Sequence, residues 1–496
     1  MKRLLVAGSL VGLGTLPALA ADLPVKAPMY AKAPAAVAYN WTGFYVGANA
    51  GVGLGRDLTS ASLSNGFVAP LVANPRSYLG PLGVIGGGQI GYNWQAGNWV
   101  LGLETDIQAS GMKDDQTCLH PHLGNGGLNC AAVGLGYSQK LDWFGTARAR
   151  VGLATGPVLS YVTAGFAYGG VSTTVSDVSN FASNPTIATF QGTRTGYAYG
   201  SGVEASLGGA WTAKLEYLYL NLGSQSGTYP AFIPFVGAND PRTVSSDIRE
   251  HIYRVGVNYR IGGNSVYAEP LGNWSGFYVG GNLGGAVARN VSRSVNNNFF
   301  PAGVSDDFNL MPNGYLGGAQ AGYNWQTGSL VLGLEADIQG SSQRDNKACL
   351  FGCTTGFPTS DIYDQKLTWL GTARGRLGVS VGRTLFYGTA GAAFGSVQTT
   401  ITEASFGNPT VVTKFSQNRS GWTVGGGIES PFEMFGLLGP NWTSKTEYLY
   451  VDLGSSSGTY ANVALGTTTA FTTRVTEHIF RSGLNYHFNN PVVAKY

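Results

Sequence analysis

Residues Trp41–Gly51 read WTGFYVGANAG, and nearly the same string returns at Trp274–Gly284 as WSGFYVGGNLG. Taken with a period of two, Phe44, Val46, Ala48 and Ala50 fall on one face. Tyr45, Gly47, Asn49 and Gly51 fall on the other. One face is apolar and the other small and polar, which suits a wall between lipid and a wet interior. Each copy opens a segment with the same internal plan, 41–261 and 273–488.

From Trp41 onward the alternation repeats. Segments 41–52, 82–94, 98–109, 138–154, 158–170, 192–206, 210–222 and 248–261 are eight candidate strands, each long enough for the roughly 9–11 residues with which a tilted strand crosses a bilayer. Their connections alternate in length. Gln95-Ala96-Gly97, Thr155-Gly156-Pro157 and Leu207-Gly208-Gly209 are tight turns, whereas 53–81, 110–137, 171–191 and 223–247 are long and polar. Short turns on one side and long loops on the other describe an outer-membrane barrel, and a soluble sandwich has no reason to segregate them.

The second half repeats the frame. GYNWQAG at 91–97 becomes GYNWQTG at 322–328, and LGLETDIQ at 101–108 becomes LGLEADIQ at 332–339. WFGTARARVG at 143–152 becomes WLGTARGRLG at 369–378, and EHIYRVGVNYR at 250–260 becomes EHIFRSGLNYH at 477–487. The long loops hardly match, as expected where pairing and lipid set the frame and the loops face outward.

Composition agrees with an envelope protein. Glycine supplies 75 of 496 residues and charged residues 11%, against roughly 7% and 25% in ordinary soluble domains. The net charge is +3 with no basic run, so no nucleic-acid partner is expected. Lys2 and Arg3, the apolar run Leu4–Leu16 and Ala18-Leu19-Ala20 predict a signal peptide over 1–20, cleaved after Ala20. Residues 21–40 are rich in Ala and Pro and read as a periplasmic leader. Past the signal, no apolar run is long enough for a transmembrane helix. Cys118 and Cys130, and Cys349 and Cys353, form two close pairs in equivalent loops, expected to close as disulfides in an oxidising compartment. No metal site is expected.

Aromatic residues cluster at strand ends. Trp41, Tyr92, Trp94, Trp99, Trp143, Trp211, Tyr217 and Tyr219 read as headgroup-level girdles.

The few charges inside strands share the face of the small residues. In the first copy these are Glu104, Asp106, Arg148, Arg150, Glu204, Lys214, Glu216 and Arg254. In the second they are Glu335, Asp337, Arg374, Arg376, Glu429, Lys445, Glu447 and Arg481. An Arg or Lys aimed at the bilayer midplane costs roughly 2–4 kcal/mol, so these side chains are expected to point inward. Four acids and four bases can then pair, and an eight-stranded barrel is narrow enough for side chains to fill. The cluster reads as a plug, with a narrow, gated pore lined by the same residues as the alternative.

Taken together, the NWTGFYVGANAG and NWSGFYVGGNLG openings, the GYNWQ turn, the GTARxRxG strand, the EHIxRxGxNY terminal strand and the ADLPVKAP start resemble the outer-membrane β-barrel proteins of alphaproteobacteria, porin-like surface antigens related to the opacity proteins. The resemblance implies an eight-stranded antiparallel barrel with periplasmic termini, set among outer-membrane lipid and lipopolysaccharide and supporting envelope integrity. It also implies recognition of the last strand by the barrel-assembly machinery. Phe488 stands at the usual terminal aromatic, but the tail 489–496 follows and ends on Tyr496.

Two copies permit two tandem eight-stranded barrels joined by 262–272, GGNSVYAEPLG, or one sixteen-stranded barrel with an aqueous channel. The balanced charges and the long, Pro-containing joint favour two. The choice rests on pairing, since the strand at Trp274 joins either the strand ending at Tyr486 or the one ending at Tyr259. Three functions stay open: a plugged structural protein, a porin-like channel for small solutes, and an adhesin acting through its long loops. No enzymatic activity and no cofactor are expected. There is no G-x-S-x-G elbow, and His251 and His478 sit at equivalent positions with no matching serine, which makes them structural.

Overall fold

Alternation becomes strand throughout, and each half of the chain closes its own ring. The computed structural model describes residues 39–63, 76–117, 135–177, 186–232, 239–262, 270–296, 304–348, 359–405, 409–432, 438–462 and 467–488. The expected signal peptide 1–20, nearly all of the expected leader 21–40, the four cysteines expected to form disulfides and the tail 489–496 lie outside these residues.

In the first half the strands are β1 (Gly43–Gly55), β2 (Asp57–Leu63), β3 (Arg76–Leu79), β4 (Leu82–Ala96), β5 (Trp99–Thr117), β6 (Leu135–Thr155), β7 (Val158–Asp177), β8 (Thr186–Gly208), β9 (Trp211–Phe232) and β10 (Asn239–Arg260). Eight of them form the antiparallel ring β1-β4-β5-β6-β7-β8-β9-β10, which closes as β10 pairs back onto β1. The short β2 pairs with the outer end of β10, and β3 pairs with β2, extending the wall above the ring.

The second half has β11 (Gly276–Ala288), β12 (Asn290–Asn296), β13 (Val304–Leu310), β14 (Asn313–Thr327), β15 (Leu330–Ser341), β16 (Arg344–Ala348), β17 (Thr359–Val381), β18 (Thr384–Ser405), β19 (Val411–Pro431), β20 (Trp442–Asn462) and β21 (Thr467–His487). Its ring β11-β14-β15-β17-β18-β19-β20-β21 closes by β21 on β11.

Register settles the barrel count. Val46 stands opposite Tyr259, and Val279 stands opposite Tyr486. Each opening strand thus pairs with the last strand of its own half, and the chain makes two eight-stranded barrels. The sixteen-stranded alternative is excluded.

The strands outrun their expected bounds. β9 continues to Phe232 and β10 begins at Asn239, so much of the expected loop 223–247 is paired hairpin. The reason is physical. Above the lipid the outward face meets water and turns polar, and inside only a few apolar side chains, Tyr229 and Val244 with Tyr137 and Val175, are buried. No long apolar stripe therefore marks these strands, yet Ser, Thr and Tyr pair readily in strands. At the other end the turns are tight. Gly97, Gly156 and Gly209 take φ of 60°, 61° and 58°, a left-handed conformation open to glycine at little cost.

Side chains divide by parity as the opening motif requires. Val84 is 72% exposed and Leu103 56%, on the lipid face. Tyr45 and Asn49 are buried inside. The inner face needs glycine where bulk crosses it: a Cβ at Gly91 would overlap the Tyr45 ring, and one at Gly322 the Tyr278 ring.

Two aromatic assignments change. Trp94, Trp99 and Trp211 are exposed at the tight-turn end, where a girdle belongs. Trp41, however, is buried in the mouth of the first barrel against Tyr39, Val100, Ala154, Leu159 and Tyr161. Its indole N–H donates to the Gly156 carbonyl at 3.2 Å. Trp274 does the same in the second barrel, donating to Ser380 Oγ at 3.1 Å. Both precede the first strand, so the chain is free to fold back under the ring. Tyr217 also leaves the girdle, because its ring packs on Phe480 of the other barrel.

Candidate functional site

The inner wall of each barrel carries three stacked layers, placed by the period-two parity of the strands. The middle layer is ionic. β5 contributes Glu104 and Asp106, β6 Arg148 and Arg150, β8 Glu204, β9 Lys214 and Glu216, and β10 Arg254, and all eight are buried. Arg148 is the hub. Its Nη2 donates to Glu104 Oε1 at 2.6 Å and to Asp106 Oδ2 at 2.9 Å, and its Nη1 to Glu216 Oε1 at 3.1 Å. Lys214 Nζ donates to Glu104 at 2.9 Å. Arg254 joins Glu216 and Asp106 through Nε at 2.7 Å and Nη2 at 2.9 Å. Arg150 reaches across to Glu204 at 2.9 Å.

The second barrel repeats the set. Arg374 donates to Glu335 at 2.5 Å, Asp337 at 2.9 Å and Glu447 at 3.2 Å. Lys445 binds Glu335 at 2.7 Å, Arg481 binds Asp337 at 2.8 Å, and Arg376 binds Glu429 at 2.8 Å. The structure therefore brings together all sixteen charged residues picked from the sequence, as two clusters of eight. Such buried ions persist only when hydrogen-bonded on most sides, and neutral neighbours supply further bonds, while Asp106 Oδ1, Arg150 Nη2 and Arg254 Nη1 have no partner among the described residues.

Those neighbours were not picked from the sequence. Tyr45 Oη donates to Glu104 at 2.9 Å and Tyr161 Oη to Glu216 at 2.9 Å. Thr146 donates to Asp106 at 2.7 Å, Thr212 to Glu204 at 2.5 Å and Asn258 to Glu204 at 2.8 Å. A signal exists for three of them, since Thr146, Thr212 and Asn258 share strand and parity with Arg148, Lys214 and Arg254, whereas β1 and β7, which carry Tyr45 and Tyr161, hold no cluster charge. Neutral polar residues on an inward face simply do not stand out without a position for their partners. Arg150 also lies over the Tyr45 ring, 4.6 Å from its centroid, a cation–π contact strengthened by burial.

Toward the outer face an apolar layer fills the first lumen: Ile85, Met112, Leu141, Phe144, Leu218 and Ile252 among others. Leu316, Leu367, Leu370, Leu449 and Ile479 do so in the second. Above it Asp57 and Glu250 are two further inward acids, fully buried, which the charge count over the central strand segments omits. Gln139 donates to Asp57 at 2.8 Å, as does the Arg249 N–H at 2.6 Å. The third layer is the aromatic mouth around Trp41 or Trp274. Arg260 closes the first mouth, bonding the Asn40 carbonyl. In the second, His487 takes its place and stacks on Tyr278 at 5.3 Å.

His251 and His478 face out of their barrels, yet both are buried. Each ring nitrogen Nδ1 meets a tyrosine hydroxyl, Tyr217 at 2.9 Å and Tyr448 at 2.8 Å. Outward parity alone predicts that these rings face the lipid interface near the outer rim; instead the other half covers His478, whose ring stacks on Tyr253 with centroids 5.8 Å apart. Among the described residues no group of three or more His, Cys, Asp or Glu has the arrangement of a metal site.

Residues 27–260 and 261–488 each match the outer membrane protein beta-barrel domain family. The chain is 32% identical over 269 residues to a 31 kDa outer-membrane immunogenic protein of Brucella melitensis, covering 52% of this chain and all of that one. It is 32% identical over 189 residues to a 22 kDa outer membrane protein of Rhizobium leguminosarum bv. viciae, covering 38% of this chain and 68% of that one. Among solved structures, Neisserial surface protein A aligns with 44% of this chain and 97% of its own at 15% identity, with a TM-score of 0.20. A Pseudomonas aeruginosa FadL homologue aligns with 90% of this chain and 91% of its own at 10% identity, with a TM-score of 0.27. The two matched halves coincide with the two closed rings, and the chain belongs to the outer membrane protein beta-barrel domain family, carrying two copies of that domain in the outer membrane.

Proposed function

We propose that this is a non-enzymatic structural surface protein of the outer membrane, whose two barrels are plugged and which supports the envelope mechanically. The observation that carries this reading is the filling of each lumen. An ionic layer centred on Arg148 or Arg374 lies beneath an apolar layer and above an aromatic mouth. A diffusion channel needs a continuous wet path, and an ion-selective one a surplus of one sign at its constriction. The central layer instead pairs four acids with four bases at hydrogen-bond distance.

Planar-bilayer recording of the purified, refolded full chain tests this. The expected result is silence or rare small events. Large, steady porin-like steps would overturn the plugged reading and favour passive diffusion of small solutes.

A further inference from the structure

Several outward-facing aromatics and rim charges of one half meet the other half, and these contacts are reciprocal. Near the outer rim Arg56, which follows β1, reaches Asp345 of the second half at 3.2 Å and the Met311 carbonyl at 3.0 Å. Its counterpart Arg289, which follows β11, reaches Asp114 of the first half at 2.5 Å. Each aspartate is also held by a backbone N–H of its own half, Gly80 to Asp114 at 2.8 Å and Met311 to Asp345 at 2.7 Å. Lower down, Tyr217 stacks on Phe480 at 5.7 Å, and the equivalent pair Tyr448 and Tyr253 meet at 5.1 Å. Residue i meets j, and the counterpart of i meets the counterpart of j. That is the signature of an isologous, two-fold contact, here between halves of one chain.

We infer that the halves form one obligate docked pair, because each supplies the arginine that neutralises a buried rim aspartate of the other. Asp114 and Asp345 have side chains only 1% and 3% exposed. Within its own half Asp114 meets Gly80 N–H and Gln116, and no cation among the described residues lies within ion-pair distance apart from Arg289. A half released from its partner would leave that carboxylate without its cation, and lower down lipid gives apolar surfaces no reason to associate, so reciprocal polar pairs and close packing must hold the seam. Docking also builds a cleft that neither half has alone, a cavity of about 420 Å³ lined by Asp115, Tyr137 and Ser138 from one side and Arg289, Phe308 and Asn309 from the other. The inference is independent of whether the lumens conduct.

The test is to insert a protease site into the 262–272 joint of the full chain, fold it in lipid nanodiscs or mild detergent, cut, and size the product. The cut wild type is expected to remain one particle containing both halves. Arg56→Asp with Arg289→Asp is expected to lower the joined-to-separated ratio roughly tenfold or more, as for a desolvated charge pair broken on one side. The exchange Arg56→Asp with Asp345→Arg, added to Arg289→Asp with Asp114→Arg, is expected to restore it. Heat-modifiable migration of each half reports folding. If the charge reversals do not fold, Tyr253→Ala with Phe480→Ala weakens the same seam without burying a charge. Separation of the wild-type halves on cutting, or a folded seam variant that stays joined as firmly as wild type, would overturn the inference.

Discussion

Replacing Arg148 by methionine keeps an unbranched, flexible side chain and most of its volume and deletes one cation from the first lumen. The guanidinium holds Glu104 at 2.6 Å, Asp106 at 2.9 Å and Glu216 at 3.1 Å, and Thr146 Oγ1 at 2.8 Å. After its loss four acids face three bases, but no carboxylate is fully orphaned. Lys214 still holds Glu104 at 2.9 Å, and Arg254 still holds Glu216 at 2.6 Å and Asp106 at 2.9 Å. Breaking a buried pair costs roughly 3–5 kcal/mol, and the surviving partners place Arg148→Met near the middle, about 4 kcal/mol. For a unit of this size that corresponds to a fall of about 8–16 °C in Tm. The assay is urea or thermal unfolding of protein folded in lipid vesicles, followed by tryptophan fluorescence and by heat-modifiable migration. Arg374→Met should cost the same in the second barrel, and the two should add because the clusters share no partner. Arg293→Met provides the control, since its 3.4 Å pair with Asp307 is exposed on both sides, and such pairs contribute roughly 0–1 kcal/mol. A loss below about 1 kcal/mol for Arg148→Met would refute the reasoning, because it would mean that water already screens the cluster.

Two further outcomes follow from burial. Trp41→Ala should lower stability by roughly 3–5 kcal/mol, the cost of emptying a packed aromatic site, whereas Trp94→Ala on the exposed girdle should cost far less in the same urea titration. Equal losses would return Trp41 to the girdle. Leu103→Arg, on the lipid face of β5, should cost roughly 2–4 kcal/mol if it lies near the bilayer midplane, while Leu103→Ile should be close to neutral; tolerance of the arginine would place that face against water.

How much of this was legible beforehand depends on the kind of information each feature needs. Parity is local. The face of Phe44 and Val46 and the face of Tyr45 and Asn49 follow from alternation alone, and so does the inward aim of Glu104, Asp106, Arg148 and Arg150. The tight turns at Gly97, Gly156 and Gly209 are local as well. Partners are not local. That Thr212 and Asn258 both serve Glu204 depends on which strands face each other across the lumen. Trp41 looked like a girdle residue because it stands beside a strand end, and only the fold-back of the chain beneath the ring shows that it closes the mouth. The outer hairpins are hidden for a different reason: their outward face is polar, and the inward apolar residues, such as Tyr229 and Val244, are too widely spaced to read as a stripe.

By itself, then, the sequence determined that this chain makes barrel walls, that it does so twice, and which side chains point out of the wall and which point in. Alternation, charge cost in a bilayer and the duplicated frame are written residue by residue. Only tertiary structure decided that β1 closes on β10 and β11 on β21, giving two narrow barrels instead of one wide one. It also decided that Tyr253, His478 and Phe480 face another barrel and not lipid. Both are choices of neighbour, and a period of two specifies which way a side chain points but not what it meets.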